Sequence, residues 1–281
     1  MLYRLPELVI PSNKLCKAIR KEALSLVSQT KDTFWVAGRL ATGASWLERL
    51  AFCILNRHRH SLPCSETCGA EWWVQVKDSS DCNDVLKEID MHYDKDETLA
   101  THFNLASFPS ISTVTYLSEE NGGFPTIVSS KTYEEPLETA IKRFVISSPR
   151  CGNHLVFDGR LLHGVPFRPA FVEEEKRPTQ ARITFLVNIW QTAPAGVTAL
   201  PETIREAFNG SLNDKLSPSF RKLRFHTNNI DTVFVPKQRT NHNVIRLPIT
   251  GQSGSDDKND SWSIHLPSDF SQSNDCSLVE L

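Results

Sequence analysis

Two spacings of apolar residues divide the chain. Over residues 13–29 Leu15, Ile19, Ala23, Leu24 and Leu26 recur among lysines and arginines at helical intervals, and between Ser45 and His58 the set Trp46, Leu47, Leu50, Ala51, Ile54 and Leu55 does the same. Two amphipathic helices are predicted there. From Glu71 onward the period shortens to two, and residues 71–77 (EWWVQVK), 85–89, 110–117 (SISTVTYL), 124–129, 143–147, 154–158 and 182–190 read as strands. Turn signals at Asn121-Gly122-Gly123, Cys151-Gly152 and Gly159-Arg160 separate several of them. Many short strands after N-terminal helices predict a mainly β fold, an antiparallel barrel or sandwich with supporting helices.

The pattern loosens beyond Trp190. Residues 201–208 and 218–223 read as short helices, and 233–235 and 244–247 as short strands. From about Thr250 the sequence TGQSGSDDKNDSWS is polar and rich in Gly, Ser and Asp, which predicts a flexible tail. The expected organisation is a helical support region over 1–70, a β core over 71–192, an extension packing on it over 193–249 and the tail over 250–281. With no Pro/Gly/Ser-rich linker in the middle, one domain with appendages is the simpler division.

Composition narrows the function classes. A chain of 281 residues with 40% hydrophobic and 23% charged residues is ordinary globular protein. A formal charge of -2 offers no electrostatic footprint for nucleic acid, which makes such a partner less favoured. The first residues lack the h-region of a secretory signal, and no window approaches the roughly 18 apolar residues of a membrane span. Seven scattered cysteines, an odd number, predict reduced thiols and an intracellular, cytoplasmic setting.

The stretch from Pro149 to Trp190 carries the candidate chemistry. Its last strand places Ile183, Phe185, Val187 and Ile189 on one face and Arg182, Thr184, Leu186, Asn188 and Trp190 on the other. An arginine and a hydroxyl two residues apart thus point the same way, toward a face suited to lining a cavity. His163, followed by Gly164, is expected at a strand start. Upstream, His92-Tyr93-Asp94 sets an imidazole and a carboxylate at i and i+2 on one side of an extended segment. His92, Asp94 and His163 together offer two nitrogen donors and one anionic oxygen, a set that suits a ferrous ion held from one side with open positions for a co-substrate and oxygen. No thiolate stands in the set, as an oxygen-handling iron requires.

The ordered series of HYD, a TYL strand ending near Gly-Gly, Phe157, His163-Gly164 and Arg182 resembles the iron(II) and 2-oxoglutarate dependent oxygenases of the prolyl-hydroxylase-like branch over about residues 71–190. The resemblance implies a double-stranded β-helix core of the jelly-roll or cupin-like type. It carries iron binding to His92, Asp94 and His163, and 2-oxoglutarate binding to Arg182 with Thr184, with Tyr116 or Thr126 adding a hydrogen bond. It further implies Fe(II) as metal, 2-oxoglutarate and O2 as co-substrates, and ascorbate as a reductant. One departure is an inserted PAFVEEEKRPTQ, which lengthens the gap from His163 to Arg182 (182 − 163 = 19) and leaves Arg168 and Arg177 as rival anchors. Charge favours Arg182: one guanidinium, one carboxylate, a divalent ion and a dianionic acid sum to zero, and a neutral cluster avoids the cost of an uncompensated buried charge.

The expected activity is hydroxylation or oxidative demethylation of an unidentified substrate, a small molecule or a protein side chain, with release of succinate and CO2. Two other readings stand beside it: a catalytically silent β-helix binding domain, and a cupin-like metalloenzyme that does not use 2-oxoglutarate. Trp72, Trp73 and Phe103 are candidate cleft or core aromatics. Residues 95–109 and 169–180 are candidate lids, and Lys95, Asp96 and Glu97 are either polar contacts or a solvated charge run. His58, His60, Cys64 and Cys68 form a candidate zinc set of uncommon spacing, while His102 and His154 are alternative ligands, with His154 read first as a hydrogen-bonded structural histidine.

Overall fold

The computed structural model describes residues 3–4, 6–10, 12–38, 40–41, 43–62, 67–77, 89–118, 125–136, 139, 141, 143–165, 181–209, 221–227, 231–234, 242–248, 261–267 and 276–280. Eight strands form its centre: β4 (Gly69–Lys77), β5 (Ile89–His92), β6 (Ile111–Tyr116), β7 (Thr126–Thr132), β8 (Arg143–Ser147), β9 (His154–Asp158), β10 (Leu161–Val165) and β11 (Arg182–Trp190). One sheet runs β9-β6-β11-β4 and the other β8-β7-β10-β5, with every pairing among the eight antiparallel. Successive strands therefore alternate between two sheets, except where β7 and β8 form a hairpin. This is a double-stranded β-helix.

Three short strands precede the centre. β1 (Tyr3–Arg4) extends the first sheet beyond β9, β3 (Phe34–Val36) extends it beyond β4, and β2 (Pro6–Val9) pairs with β12 (Arg224–Thr227). The region expected as helical support thus also closes sheet edges, whose unpaired backbone groups call for partners.

Alternation sorts side chains into two cores. Outward-facing Trp72, Val74, Ile183, Phe185, Val187 and Ile189 pack beneath α1 (Asn13–Val27) and α2 (Trp46–His58), whose Leu15, Ile19, Leu26, Leu47, Leu50 and Ile54 are buried against them. Between the sheets lies a smaller core of Val114, Tyr116, Leu155, Phe157, Val128, Val145 and Leu161. The helices are tied together by a buried carboxylate: Glu22 of α1 accepts from the N–H groups of Trp46 (3.2 Å) and Leu47 (2.9 Å) at the start of α2. Burial raises the Glu22 pKa against those hydrogen bonds. Ser45 and Glu48 complete a capping box, and Arg205 of α4 (Glu202–Asn209) clasps Glu48 at 3.0 and 2.8 Å.

Several sequence expectations change. His163 sits inside β10 rather than at its start. Residues 95–109 contain a helix, α3 (Glu97–Phe103), with Asp96 accepting from Leu99 N and Asn104 closing it at φ 52°. Two turns with no buried face leave no apolar periodicity to read. The tail expected to be flexible holds β15 (Ser261–Pro267), which pairs with β14 (His242–Pro248), and β16 (Cys276–Glu280). β16 lies between β8 and β13 (Asp231–Phe234), covering an edge that β8 would otherwise leave open. Cys68 is disulfide-bonded, so the thiols are not all reduced, and its partner's side chain lies outside those described. Local composition gave no warning because pairing depends on where the chain returns. Residues 85–88 of the strand read over 85–89 and 218–220 of the helix read over 218–223 lie outside the described residues. Among those described, no helix is long and apolar enough to cross a membrane.

His154 is the structural histidine expected. It lies on the outer face of β9, with Nδ1 2.7 Å from Thr115 Oγ1 and Nε2 3.1 Å from His58 Nε2, under the ring of Phe225. Burial, then the charges of His58 and Arg57, holds its pKa well below the usual value. The unfolded chain takes up this proton near pH ~6.5 and the folded chain does not. Stability from this site is therefore complete above about pH 6.5 and is lost as the pH falls from there toward the folded value. In denaturant titrations from about pH 7 to pH 5, the wild-type midpoint should drop more steeply than that of His154→Gln; parallel slopes would refute the assignment.

Candidate metal centre

The site begins with strand pairing. β10 runs antiparallel to β5 so that His163 stands directly opposite His92, their ring centroids 4.5 Å apart. The close approach requires glycine at 164, where a Cβ would meet Ile89 O at 2.6 Å and Asp90 O at 2.9 Å. Two residues past His92, Asp94 turns its carboxylate between the rings: Oδ1 lies 3.6 Å from His92 Nε2 and Oδ2 3.5 Å from His163 Nε2. One ligand atom from each residue lies within 4.8 Å of the others.

Backbone carbonyls set the imidazole tautomers. His92 Nδ1 donates to Asp90 O at 2.7 Å and His163 Nδ1 to Leu161 O at 2.9 Å. A carbonyl only accepts, so each Nδ1 carries hydrogen and each Nε2 lone pair faces the carboxylate when the ring is neutral. Ser112 Oγ, from the other sheet, donates to Asp94 Oδ2 at 3.1 Å, and the Phe157 ring packs on His163 at 4.8 Å. Burial alone would raise the Asp94 pKa, but His163 and His92 outweigh it and hold the carboxyl well below its usual range. At His92 burial pulls downward and the Asp94 hydrogen bond and charge prevail, leaving the pKa raised. These donors fit a divalent cation: metal bonds of about 2.1 Å place cis donors about 3 Å apart, which the 3.5–3.6 Å separations reach by small side-chain rotations.

A second group of residues lines the same interior. Arg182 is buried, its Nη2 donating to Thr126 Oγ1 at 2.9 Å and its Nη1 to Thr184 Oγ1 at 3.3 Å and Gln75 Oε1 at 3.4 Å. The guanidinium carbon lies 5.4 Å over the Tyr116 ring. Burial lowers the Arg182 pKa, partly offset by Tyr116. The Tyr116 hydroxyl is 2.6 Å from Thr126 Oγ1 and donates to Ser147 O at 2.8 Å. Ser147 stands opposite Thr126 on β8, and its own hydroxyl is buried without a hydrogen-bond partner among the described residues. A guanidinium, three hydroxyls and one unsatisfied donor suit an anionic oxygen ligand.

The structure thus brings together His92, Asp94 and His163, and separately Arg182, Thr184, Tyr116 and Thr126. Arg168 and Arg177 lie outside the described residues, as does the insert 169–180. Trp72 is core, Trp73 is half-buried on the opposite face, and Phe103 is 64% exposed. Lys95 and Glu97 form a surface ion pair at 3.9 Å, while Asp96 is buried and accepts from Leu99 N and Ala195 N. The zinc set is not assembled among the described residues: His58 faces His154, His60 is exposed and Cys68 is spent in a disulfide, while Cys64 lies outside them. His102 is exposed beside Thr98 O, and His154 is on the outer face, so neither replaces a member of the triad.

No family model matches the chain, and no curated protein matches it. The chain is similar in structure to a prolyl-4-hydroxylase from Pseudomonas putida (12% identity, 64% of this chain and 82% of that one, TM-score 0.39). It is similar also to SnoN, a non-heme α-ketoglutarate dependent epimerase from nogalamycin biosynthesis (13%, 66% and 76%, TM-score 0.41). A third is HygX from Streptomyces hygroscopicus with nickel and 2-oxoglutarate bound (14%, 71% and 85%, TM-score 0.40).

Sequence reasoning passed over three polar residues of the interior, Glu71, Gln75 and Ser112. Gln75 and Glu71 alternate inward on β4 beside Trp73, and Glu71 accepts from Trp190 Nε1 at 2.9 Å. Asn188, paired with Glu71 and Ser112, is buried on the Arg182 face, and no hydrogen bond to its amide is seen among the described residues. The alternation of 71–77 and 182–190 places Gln75, Glu71 and Asn188 on the cavity side, whereas Ser112 needs the fold to meet Asp94. Replacing a hydrogen-bond partner of a metal ligand costs roughly 10-fold or more in affinity. Calorimetric titration with Mn(II) should therefore show binding weakened about 10-fold in Ser112→Ala; an unchanged affinity would remove Ser112 from this role.

Proposed function

We propose that the chain is an iron(II) and 2-oxoglutarate dependent dioxygenase that hydroxylates or oxidatively demethylates a substrate still to be identified. The observation that carries this reading is the facing of two groups in one interior: three metal-type donors on one wall, and a buried arginine among hydroxyls on another. His92, Asp94 and His163 would hold the metal from one side through two Nε2 atoms and a carboxylate oxygen. Arg182 would anchor the remote carboxylate of 2-oxoglutarate, with Thr184, Thr126 and Tyr116 beside it and the Ser147 hydroxyl gaining the partner it lacks. The bound iron and 2-oxoglutarate would supply oxygen activation coupled to decarboxylation to succinate, with ascorbate serving as reductant.

The protein's own contribution is placement. Ser112 and the carbonyls of Asp90 and Leu161 orient the three ligands before any metal arrives, so little rearrangement is required on binding. Val114, Leu155 and Phe157 are buried in the apolar core between the sheets, and an apolar surround strengthens the interaction between an arginine and a carboxylate. The His92 side chain, 41% exposed against 5% for His163, marks the open side by which a substrate would reach the site. Glu71, Trp73 and Asn188, on the inward face of β4 and β11, would be the residues to meet it.

The direct assay is iron-dependent formation of succinate from 2-oxoglutarate. His92→Ala and Asp94→Ala should each abolish it, and Arg182→Ala should raise the apparent KM for 2-oxoglutarate at least about 10-fold while Mn(II) binding persists. Turnover indifferent to Arg182→Ala would favour a metalloenzyme that does not use this co-substrate, and metal binding without 2-oxoglutarate binding would favour a silent domain.

A further inference from the structure

Outside the barrel interior two thiols meet. Cys16 lies in the first turns of α1 and Cys151 in the turn before β9, and their sulfurs are 3.4 Å apart although 135 positions separate them in the chain. Both are unbridged and partly exposed. The separation exceeds a disulfide bond of roughly 2.05 Å by about 1.3 Å, within reach of side-chain rotation and a small movement of the turn. Proximity of this kind between a helix and a distant turn is set by the fold, not by sequence neighbourhood.

The surroundings distinguish the two sulfurs. Arg20, one helical turn after Cys16, directs Nη2 at its sulfur at 3.8 Å, and the N-terminal turns of α1 add the positive end of the helix dipole. The hydrogen bond to Cys16, then burial, pushes the Cys151 thiol up, against the opposing effect of Arg20, which reaches both sulfurs. The helix N-terminus and the Arg20 Nη2 contact thus mark Cys16 as the attacking sulfur.

We infer that Cys16 and Cys151 form a reversible disulfide site, with Cys16 the thiol that a small peroxide oxidises and Cys151 the thiol that resolves it. The Cys16 thiolate attacks one peroxide oxygen, the O–O bond breaks and hydroxide departs, leaving a sulfenic acid on Cys16. The Cys151 sulfur then displaces that hydroxyl as water and the S–S bond forms. In balance, one hydrogen peroxide is reduced to two waters and two thiols lose two hydrogens.

Closure bears on the barrel. Gly152, next to Cys151 and at φ 92°, donates to Tyr116 O at 3.0 Å, and Tyr116 N donates to Asn153 O at 3.0 Å. Arg20 Nε donates to Leu117 O at 2.9 Å. Turn and helix thus both hold the backbone that carries Tyr116, whose hydroxyl adjoins Thr126 and Arg182. Drawing the turn toward α1 shifts that backbone.

The test uses the full chain exposed to one equivalent of hydrogen peroxide, then alkylated and digested. The expected product is a Cys16–Cys151 linked peptide pair about 2 Da lighter than the two thiol peptides, reversed by glutathione. Cys151→Ser should leave a Cys16 sulfenic acid that dimedone traps, and Cys16→Ser should leave Cys151 unoxidised. Arg20→Gln should slow linkage at least threefold; because Arg20 also braces Leu117, the two serine variants carry the test if that chain does not fold. Amide exchange at Gly152 and Tyr116 should differ at least threefold between the oxidised and reduced wild type. Complete alkylation of both cysteines after excess peroxide would overturn the site, and unchanged amide exchange would overturn its coupling to the barrel. Neither readout needs metal or 2-oxoglutarate, so failure of the oxygenase assay leaves this inference separately decided.

Discussion

The pairing of β5 with β10 is the constraint on which the candidate site depends. It stands His92 opposite His163, and the missing side chain at Gly164 lets the backbones close. Once the rings are there, the Asp94 carboxylate has two nitrogens to bridge and Ser112 a carboxylate to hold. In the absence of a cation, attraction between a depressed carboxyl and a raised imidazole keeps the three groups together. A metal would take over an arrangement that hydrogen bonds already maintain, in line with general preorganisation.

β11 joins this centre to the rest of the molecule. Its outward side chains complete the layer under α1 and α2, and its inward ones carry Arg182, Thr184 and Asn188. A single strand therefore holds the helical layer and the arginine-bearing wall in fixed relation. A one-residue slip of its register would exchange the two faces and bury Phe185 where Thr184 stands. The nine-residue pairing with β4 and the six-residue pairing with β6 guard against that slip.

The helices also attach the flanking segments. Glu22 and Glu48 fasten α1 and α2 to each other and to α4, while Arg20 and the Cys16–Cys151 contact fasten α1 to the end of β6. These contacts reach the barrel on the side where Tyr116 begins its hydrogen-bond path to Arg182. The outer layer is therefore linked to the interior through backbone positions instead of through the metal-type donors.

Periodicity alone determined most of the elements: the two helices, six of the seven strand stretches and the inward face of 182–190 follow from where apolar residues recur, because burial on one side demands that spacing. The resemblance carried by His92, Asp94, His163 and Arg182 named the residues that the fold assembles. Tertiary structure alone decided what depends on distance through space. Ser112 against Asp94, the unsatisfied Ser147 hydroxyl, His58 on His154, the β16 edge strand and the two thiols at 3.4 Å all join segments far apart in the chain. Local composition carries no record of such meetings, since each partner by itself is an ordinary serine, histidine or cysteine and acquires its role only when the sheets close.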